Sequence, residues 1–380
     1  MNSEATHTTH PSLSSSLYMA IELSNQQWKL GFTVGFGQAP RLRNLPARDL
    51  KGLAEEIHLA KLRFGLEEST PVLSCYEAGR DGFYLHRYLT HEGITNLIVD
   101  SASIEVNRRK RRAKTDRMDV GKLLTMLMRY AQGEKKMWSI VHAPSPEEED
   151  QRQLHRELIA VTRERTKHIN RIKGLLASQG VVLKIQKDFP SQLNGVKLWD
   201  GTSLLPALHV RLLREYERLQ LVEQQLHELE ETRAEMLRIS NSPAVEQVRR
   251  LLQLQGIGIH SAWLFVMEFF AWRTFHSRRE VGALAGLTAT PYQSGESATE
   301  QGISKAGNRF IRTLAIEIAW SWLRYQPESQ LSQWYLKRFA KGGSRLRRIG
   351  IVALARRLLI ELWKYLETGV APQGAHLKTS

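Results

Sequence analysis

Two stretches of this chain, Glu147 to Ser178 and Leu204 to Ile239, are rich in Glu, Arg, Gln and Leu and poor in glycine, which predicts two long helices. In the second, Leu212, Tyr216, Leu219, Val222, Leu226, Leu229, Arg233 and Leu237 approximate a heptad spacing. A stripe of that kind must be buried against another helix. The spacing therefore predicts a coiled-coil arm over 147–240, either an antiparallel hairpin with residues 179–201 as its less regular tip or an arm that dimerises.

The arm divides the chain. Before it, short apolar runs alternate with helical patterns, the mark of an α/β unit over 17–143. Its expected strands are Leu17 to Leu23, Trp28 to Val34, Val72 to Tyr76 and Leu97 to Val99. Its expected helices are Ala47 to Phe64, Gly82 to His91 and Asp116 to Tyr130. Ala143-Pro144-Ser145-Pro146 reads as the hinge that closes this unit. After the arm, residues 244–380 read as a mainly helical domain holding most of the remaining tryptophans; Trp263, Trp272, Trp320, Trp322 and Trp334 suit a helical core or interface, with one or two free to stack on bases.

The 380 residues allow two or three domains, each with its own core. With 54 Lys plus Arg against 39 Asp plus Glu, the formal net charge is +15, and the clustering of the excess points to nucleic acid rather than an acidic protein or a membrane surface. No stretch approaches the ~20 apolar residues that cross a bilayer. Met1 to Ser16 lacks the apolar centre of a signal peptide and reads as a disordered leader. The single cysteine, Cys75, excludes an internal disulfide and a cysteine-based zinc site, in keeping with a reducing cytoplasmic compartment.

Chemistry concentrates in a few places. Asp116 and Asp119, three apart at the start of an expected helix, share one face and could hold a divalent cation, or could simply favour the helix N-terminus. The basic residues before them, Arg108, Arg109, Lys110, Arg111, Arg112 and Lys114, suit phosphates. Glu22 and Glu77 follow expected strands, where α/β sheets build their sites. Four converging carboxylates would suit two magnesium ions about 4 Å apart.

In the last domain, Leu254-Gln255-Gly256-Ile257-Gly258 resembles a helix-hairpin-helix turn, with Gly256 and Gly258 bringing backbone N–H groups to phosphates, or an ordinary helix–helix connection. Ser294 precedes a glycine in an expected loop and is a nucleophile candidate, with Lys305, Arg309 and Arg312 downstream. From Lys337 to Arg357 there are eight Lys or Arg and no acid; Lys341, Arg345, Arg347 and Arg348, around Gly342-Gly343, form an expected phosphate-tracking surface.

In order and content, Tyr18-Met19-Ala20-Ile21-Glu22, Cys75-Tyr76-Glu77-Ala78-Gly79-Arg80-Asp81-Gly82, Lys114-Thr115-Asp116-Arg117-Met118-Asp119, Gly286-Leu287-Thr288 to Tyr292-Gln293-Ser294-Gly295 and Ile303-Ser304-Lys305-Ala306-Gly307-Asn308 resemble the bridge-RNA-guided transposases of bacterial insertion sequences. These are recombinases with a DEDD carboxylate set and a catalytic serine. The resemblance implies a RuvC-like, ribonuclease-H type first domain, joined by a coiled coil to a C-terminal transposase domain. It implies that Glu22, Glu77, Asp116 and Asp119 hold Mg2+, with Mn2+ as a substitute, and that Ser294 attacks the scissile phosphate.

The implied partners are donor and target DNA, a noncoding bridge RNA and further copies of the chain. A homodimer or homotetramer would form a composite site, associated with the nucleoid during transposition. One departure is that the first acid of the pattern is usually aspartate, where this chain has Glu22. Two other readings stay open: a metal-dependent nuclease or junction resolvase without a covalent intermediate, and a nucleic-acid-binding protein without catalysis.

Overall fold

The computed structural model describes residues 16–79, 82–104, 116–294 and 297–378, without the side chains of 102, 116–119 and 291–301. The expected leader and the basic run Arg108 to Lys114 lie outside them. The chain divides into two units at Pro144 and Ser145.

The first unit is a mixed five-stranded sheet. β1 (Leu17–Glu22), β2 (Gln27–Thr33) and β3 (Arg41–Pro46) form an antiparallel meander; α1 (Leu50–Arg63) leads to β4 (Val72–Glu77), and α2 (Tyr84–His91) leads to β5 (Thr95–Val99). β4 pairs parallel with β1 and β5 parallel with β4, giving the order β3-β2-β1-β4-β5. α3 (Asp116–Ala131) follows.

Both faces are covered, which is why β1 and β4 read as continuous apolar runs. Leu17, Met19, Ile21 and Tyr76 share a core with Leu53 and Ile57 of α1 and with Leu85 and Leu89 of α2. Ala20, Cys75 and Val99 face the other way, onto Val120, Leu123, Leu124 and Leu127 of α3. Gly31 lets α3 close on the sheet, because a Cβ there would overlap the Val120 side chain. Sequence reasoning missed β3, an edge strand with only Leu42 and Leu45 as apolar residues beside exposed Arg43 and Asn44.

In the second unit the first long helix is interrupted. α4 (Pro146–Asp150), started by a capping box between Ser145 and Glu148, is separate from α5 (Gln153–Ala177). α6 (Phe189–Asn194) lies in the tip and α7 (Pro206–Ile239) returns. Arg165 bonds Glu223 and Arg171 bonds Glu215, so the two long helices run antiparallel. Ile172 and Leu176 pack on Leu212, Tyr216 and Leu219, with Phe189 and Leu193 filling the tip. The stripe is fully buried at Leu212, Tyr216, Leu219 and Val222, whereas Leu226, Leu229 and Leu237 are half-buried.

Beyond the arm come α8 (Pro243–Leu252), α9 (Ile259–Phe265) continuing into a π-helical turn (Val266–Phe270), and α10 (Arg278–Leu284). A hairpin of β6 (Ala289–Ser294) and β7 (Ser297–Ile303) follows, then α11 (Arg309–Tyr325), α12 (Gln330–Phe339) and α13 (Ser344–Thr368). The core joins Val248, Leu251, Phe265, Phe269, Trp263 and Trp322 to Leu354, Leu358 and Leu362. Ser294, expected in a loop, is the last residue of β6 and pairs with Ser297. No helix among the described residues is long and apolar enough to cross a membrane.

Candidate functional site

Glu22 and Glu77 are brought together by strand register. Ile21 pairs with Tyr76 across the parallel β1/β4 ladder, so the next residues, Glu22 and Glu77, stand side by side at the carboxyl ends of two adjacent strands. Side chains alternate along a strand. Ala20 and Cys75 face α3, and Glu22 and Glu77, two positions on, belong to that same face. Glu22 is half-buried and Glu77 exposed. Asp116 and Asp119 occupy the first turn of α3. Val120, the next residue, packs at Gly31, the cross-strand partner of Ala20.

The aspartate side chains are outside the described set. Among the described residues no three His, Cys, Asp or Glu gather as a cation site. Glu22, Glu77, Asp116 and Asp119 would together offer only oxygen donors, a set that suits Mg2+ or Mn2+ rather than a thiolate-bound metal. Cys75 is buried beneath this corner, and burial pushes its thiol well above the usual range, so it is neither ligand nor nucleophile.

In the second unit, the residues flanking the β6/β7 hairpin knit its base. The Ser304 N–H donates to the Thr288 carbonyl (2.8 Å), the Lys305 N–H to Gly286 (3.2 Å) and the Asn308 N–H to Leu284 (2.8 Å). Gly286 and Gly307 have φ of +67° and +89°, and a Cβ on either would overlap a backbone carbonyl oxygen, that of Ala306 or Leu284. The Asn308 side chain caps α11, accepting from the Phe310 and Ile311 N–H groups. Arg312 donates to the carbonyls of Ala285 (3.3 Å) and Lys305 (3.0 Å) and braces this crossing, whereas Lys305 and Arg309 are exposed.

The turn at 254–258 is packed by its own unit. Gly256 (φ +82°) faces Tyr325 and Ser321 of α11, and the Ser321 hydroxyl donates to its carbonyl (2.9 Å). The Gln326 amide donates to Gln255 O, and Lys378 Nζ donates to Ile257 O. The Gln255 N–H donates to His376 O. Only Gly258 of the candidate pair is exposed.

Lys341, Arg345, Arg347 and Arg348 are exposed around the start of α13. That helix has no acid in its first turn and no side-chain cap. Cations there oppose the helix dipole, so folding does not select them. Among the described residues, none of the four forms an ion pair with an acid; Arg348 bonds only Ser344.

Sequence reasoning missed an ionic cluster around a buried carboxylate of the π-helical turn. Glu268, in the π-helical turn, receives bidentate hydrogen bonds from Arg156 (2.7 and 3.1 Å), with His155 3.7 Å away. Burial raises the Glu268 carboxyl, but the hydrogen bonds and charge of Arg156, with Arg152 nearby, outweigh it and leave its pKa below the ordinary value. Burial drives His155 down to about 4 and Arg273 down to about 10. The sequence signal for the cluster was faint: a lone acid in the apolar run Trp263 to Trp272.

The first unit thus pairs two acids at adjacent strand ends, and the second carries a cationic face without acid partners among the described residues. Residues 248–335 match the profile described as the transposase IS116/IS110/IS902 family. The chain is 40% identical over 381 residues to y4rJ, assigned as a transposase of Sinorhizobium fredii, covering 96% of this chain and 95% of that protein. It is 29% identical over 208 residues to the transposase for insertion sequence element IS1328 of Yersinia enterocolitica, covering 51% of this chain and 58% of that one. It is 27% identical over 194 residues to the transposase for IS1111A of Coxiella burnetii, covering 49% and 50%. The chain belongs to the IS110/IS116/IS902 family of insertion-sequence transposases.

Proposed function

We propose that this transposase cuts and rejoins DNA through Ser294, assisted by Glu22, Glu77, Asp116 and Asp119 and guided by a noncoding bridge RNA. The observation that carries the reading is the register of β1 and β4, which aligns Glu22 with Glu77 on the sheet face packed by α3, the helix whose first turn holds Asp116 and Asp119. The mixed sheet with two parallel neighbours and helices on both faces supports a RuvC-like domain. The antiparallel α5/α7 pair supports a coiled-coil arm. Mg2+ held by the four carboxylates would supply charge neutralisation and Lewis acidity at the scissile phosphate.

The serine chemistry balances without another reactant. The Ser294 hydroxyl attacks the phosphorus, its proton is lost, and the 3′-oxygen departs and becomes a hydroxyl, leaving the phosphate esterified to serine. In rejoining, a 3′-hydroxyl attacks that phosphoserine, and the serine oxygen leaves and regains a proton. The exposed cations Lys305, Arg309, Lys341, Arg345, Arg347 and Arg348 hold the backbone of DNA or RNA, and copies of the chain complete one another's sites in a dimer or tetramer.

The test is the double variant Asp116→Ala with Asp119→Ala in a strand-cleavage assay with element-end DNA and the RNA transcribed beside the gene. Cleavage lost with DNA binding retained supports the reading, and cleavage at the parent rate removes the carboxylates from the mechanism.

A further inference from the structure

The arm divides its charge along its length. Residues 163–218, its distal half and tip, carry eleven Lys or Arg against five Asp or Glu, whereas 146–162 and 219–239 together carry four against ten. At the end of the positive half, Trp199 is 94% exposed. A large aromatic so placed adds nothing to the core.

The segment displaying it is braced. The Gly201 N–H donates to Leu198 O (2.9 Å) and the Leu198 N–H to Thr202 O (2.8 Å). Lys197 and Ser203 form a bridge, and Asp200 accepts from both the N–H and the hydroxyl of Thr202 (3.0 and 2.6 Å). Gly201, at φ +80°, takes the left-handed position that closes the turn. On either side Val196, Leu198 and Leu204 pack onto Phe189 and Leu193. The neighbours are thus anchored inward while Trp199 is held outward, its ordering cost already met by folding. Lys184, Lys187 and Lys197 of the same tip are exposed.

We propose that the distal arm binds single-stranded nucleic acid, with Trp199 stacking on an unpaired base and Lys184, Lys187 and Lys197 meeting the flanking phosphates. An aromatic face accepts any base, and cations beside it follow the strand. The competing occupant is the acidic arm base of a second copy. The tip argues against it, since the exposed apolar side chains Trp199, Val182 and Leu205 do not amount to the apolar centre of an interface of roughly 1,200 Å2 or more. Trp199, Lys184, Lys187 and Lys197 take no part in the proposed chemistry, so failure here leaves that chemistry untouched.

The test measures binding of the full chain to labelled oligodeoxyribonucleotides and oligoribonucleotides of roughly 20 nucleotides, single-stranded and duplex, by fluorescence anisotropy. Trp199→Ala weakens single-strand binding by about 5- to 100-fold and leaves duplex binding within about twofold, and Trp199→Phe recovers most of the loss. A stronger effect on the ribo- or the deoxyribo- strand identifies which is bound. Replacing Lys184, Lys187 and Lys197 with Gln lowers the salt dependence of single-strand binding by about two units of log–log slope. A strand carrying 5-iodouracil crosslinks to the peptide containing Trp199. Single-strand affinity unchanged in Trp199→Ala overturns the proposal. So does unchanged strand binding accompanied by loss of self-association in sedimentation of the nucleic-acid-free protein, which gives the tip to a second copy.

Discussion

The acids and the serine of the proposed site stand on opposite kinds of framework. Glu22 and Glu77 end β1 and β4, interior strands with a neighbour on each side and helices over both faces. Ser294 ends one strand of a two-stranded hairpin knitted at its base through Gly286 and Gly307. The difference fits the two proposed tasks. Octahedral Mg2+ tolerates little displacement of its ligands, and strand register in a doubly covered sheet fixes spacing. A nucleophile that forms and then releases a bond to DNA needs a fixed base.

The largest effect belongs to the acids. Asp116→Ala with Asp119→Ala lowers strand cleavage by roughly a thousandfold or more, because bound metal contributes several kcal/mol at the transition state. Circular dichroism of that variant should keep the parent spectrum.

Next come the glycines under the hairpin. Gly307→Ala meets both a left-handed φ and the Leu284 carbonyl, so it should destabilise the second unit by roughly 2–4 kcal/mol in denaturant titration. Gly31→Ala in the first unit, where side chains of α3, Val120 and Leu124, must move rather than backbone, should cost about 1–3 kcal/mol. Equal costs at the two positions would remove the distinction between a backbone crossing and a packed sheet.

The second unit also carries a pH handle. His155 is neutral when folded, with a pKa lowered to about 4, so between pH 6.5 and 4 the unfolded chain binds the proton that the folded chain refuses. Stability therefore falls as pH drops through that window, by up to about 3 kcal/mol, and His155→Gln flattens the slope. The smallest effect is Glu22→Asp, which shortens the ligand by one methylene. It should lower the Mg2+ concentration for half-maximal cleavage by about tenfold or less.

What the sequence showed of this molecule followed from burial. β1 and β4 were legible because strands covered on both faces are apolar throughout, and the arm because its stripe repeats along two helices. β3 was not legible, since an edge strand needs few apolar residues. The β6/β7 hairpin hid in a polar segment interrupted by Pro291, although Gly295-Glu296 between two Thr- and Ser-bearing runs is a hairpin signal.

Gly256 resembled a phosphate-binding glycine because the local pattern cannot reveal that α11 packs on it. Arg312 and Arg309 look alike in sequence, yet one braces a backbone crossing and the other is exposed. A lone tryptophan reads the same whether it is buried like Trp263 or displayed like Trp199.

In the proposed mechanism Ser294 bonds to DNA. The direct measurement denatures the full chain after reaction with element-end DNA, Mg2+ and its guide RNA, then digests it and locates any nucleotide-bearing peptide by mass spectrometry. The expected result is a phosphate ester on Ser294 with a free 3′-hydroxyl on the cut strand, and no adduct with Ser294→Ala. Cleavage by Ser294→Ala at the parent rate, with no DNA retained on either protein, would contradict it and leave a metal-dependent nuclease.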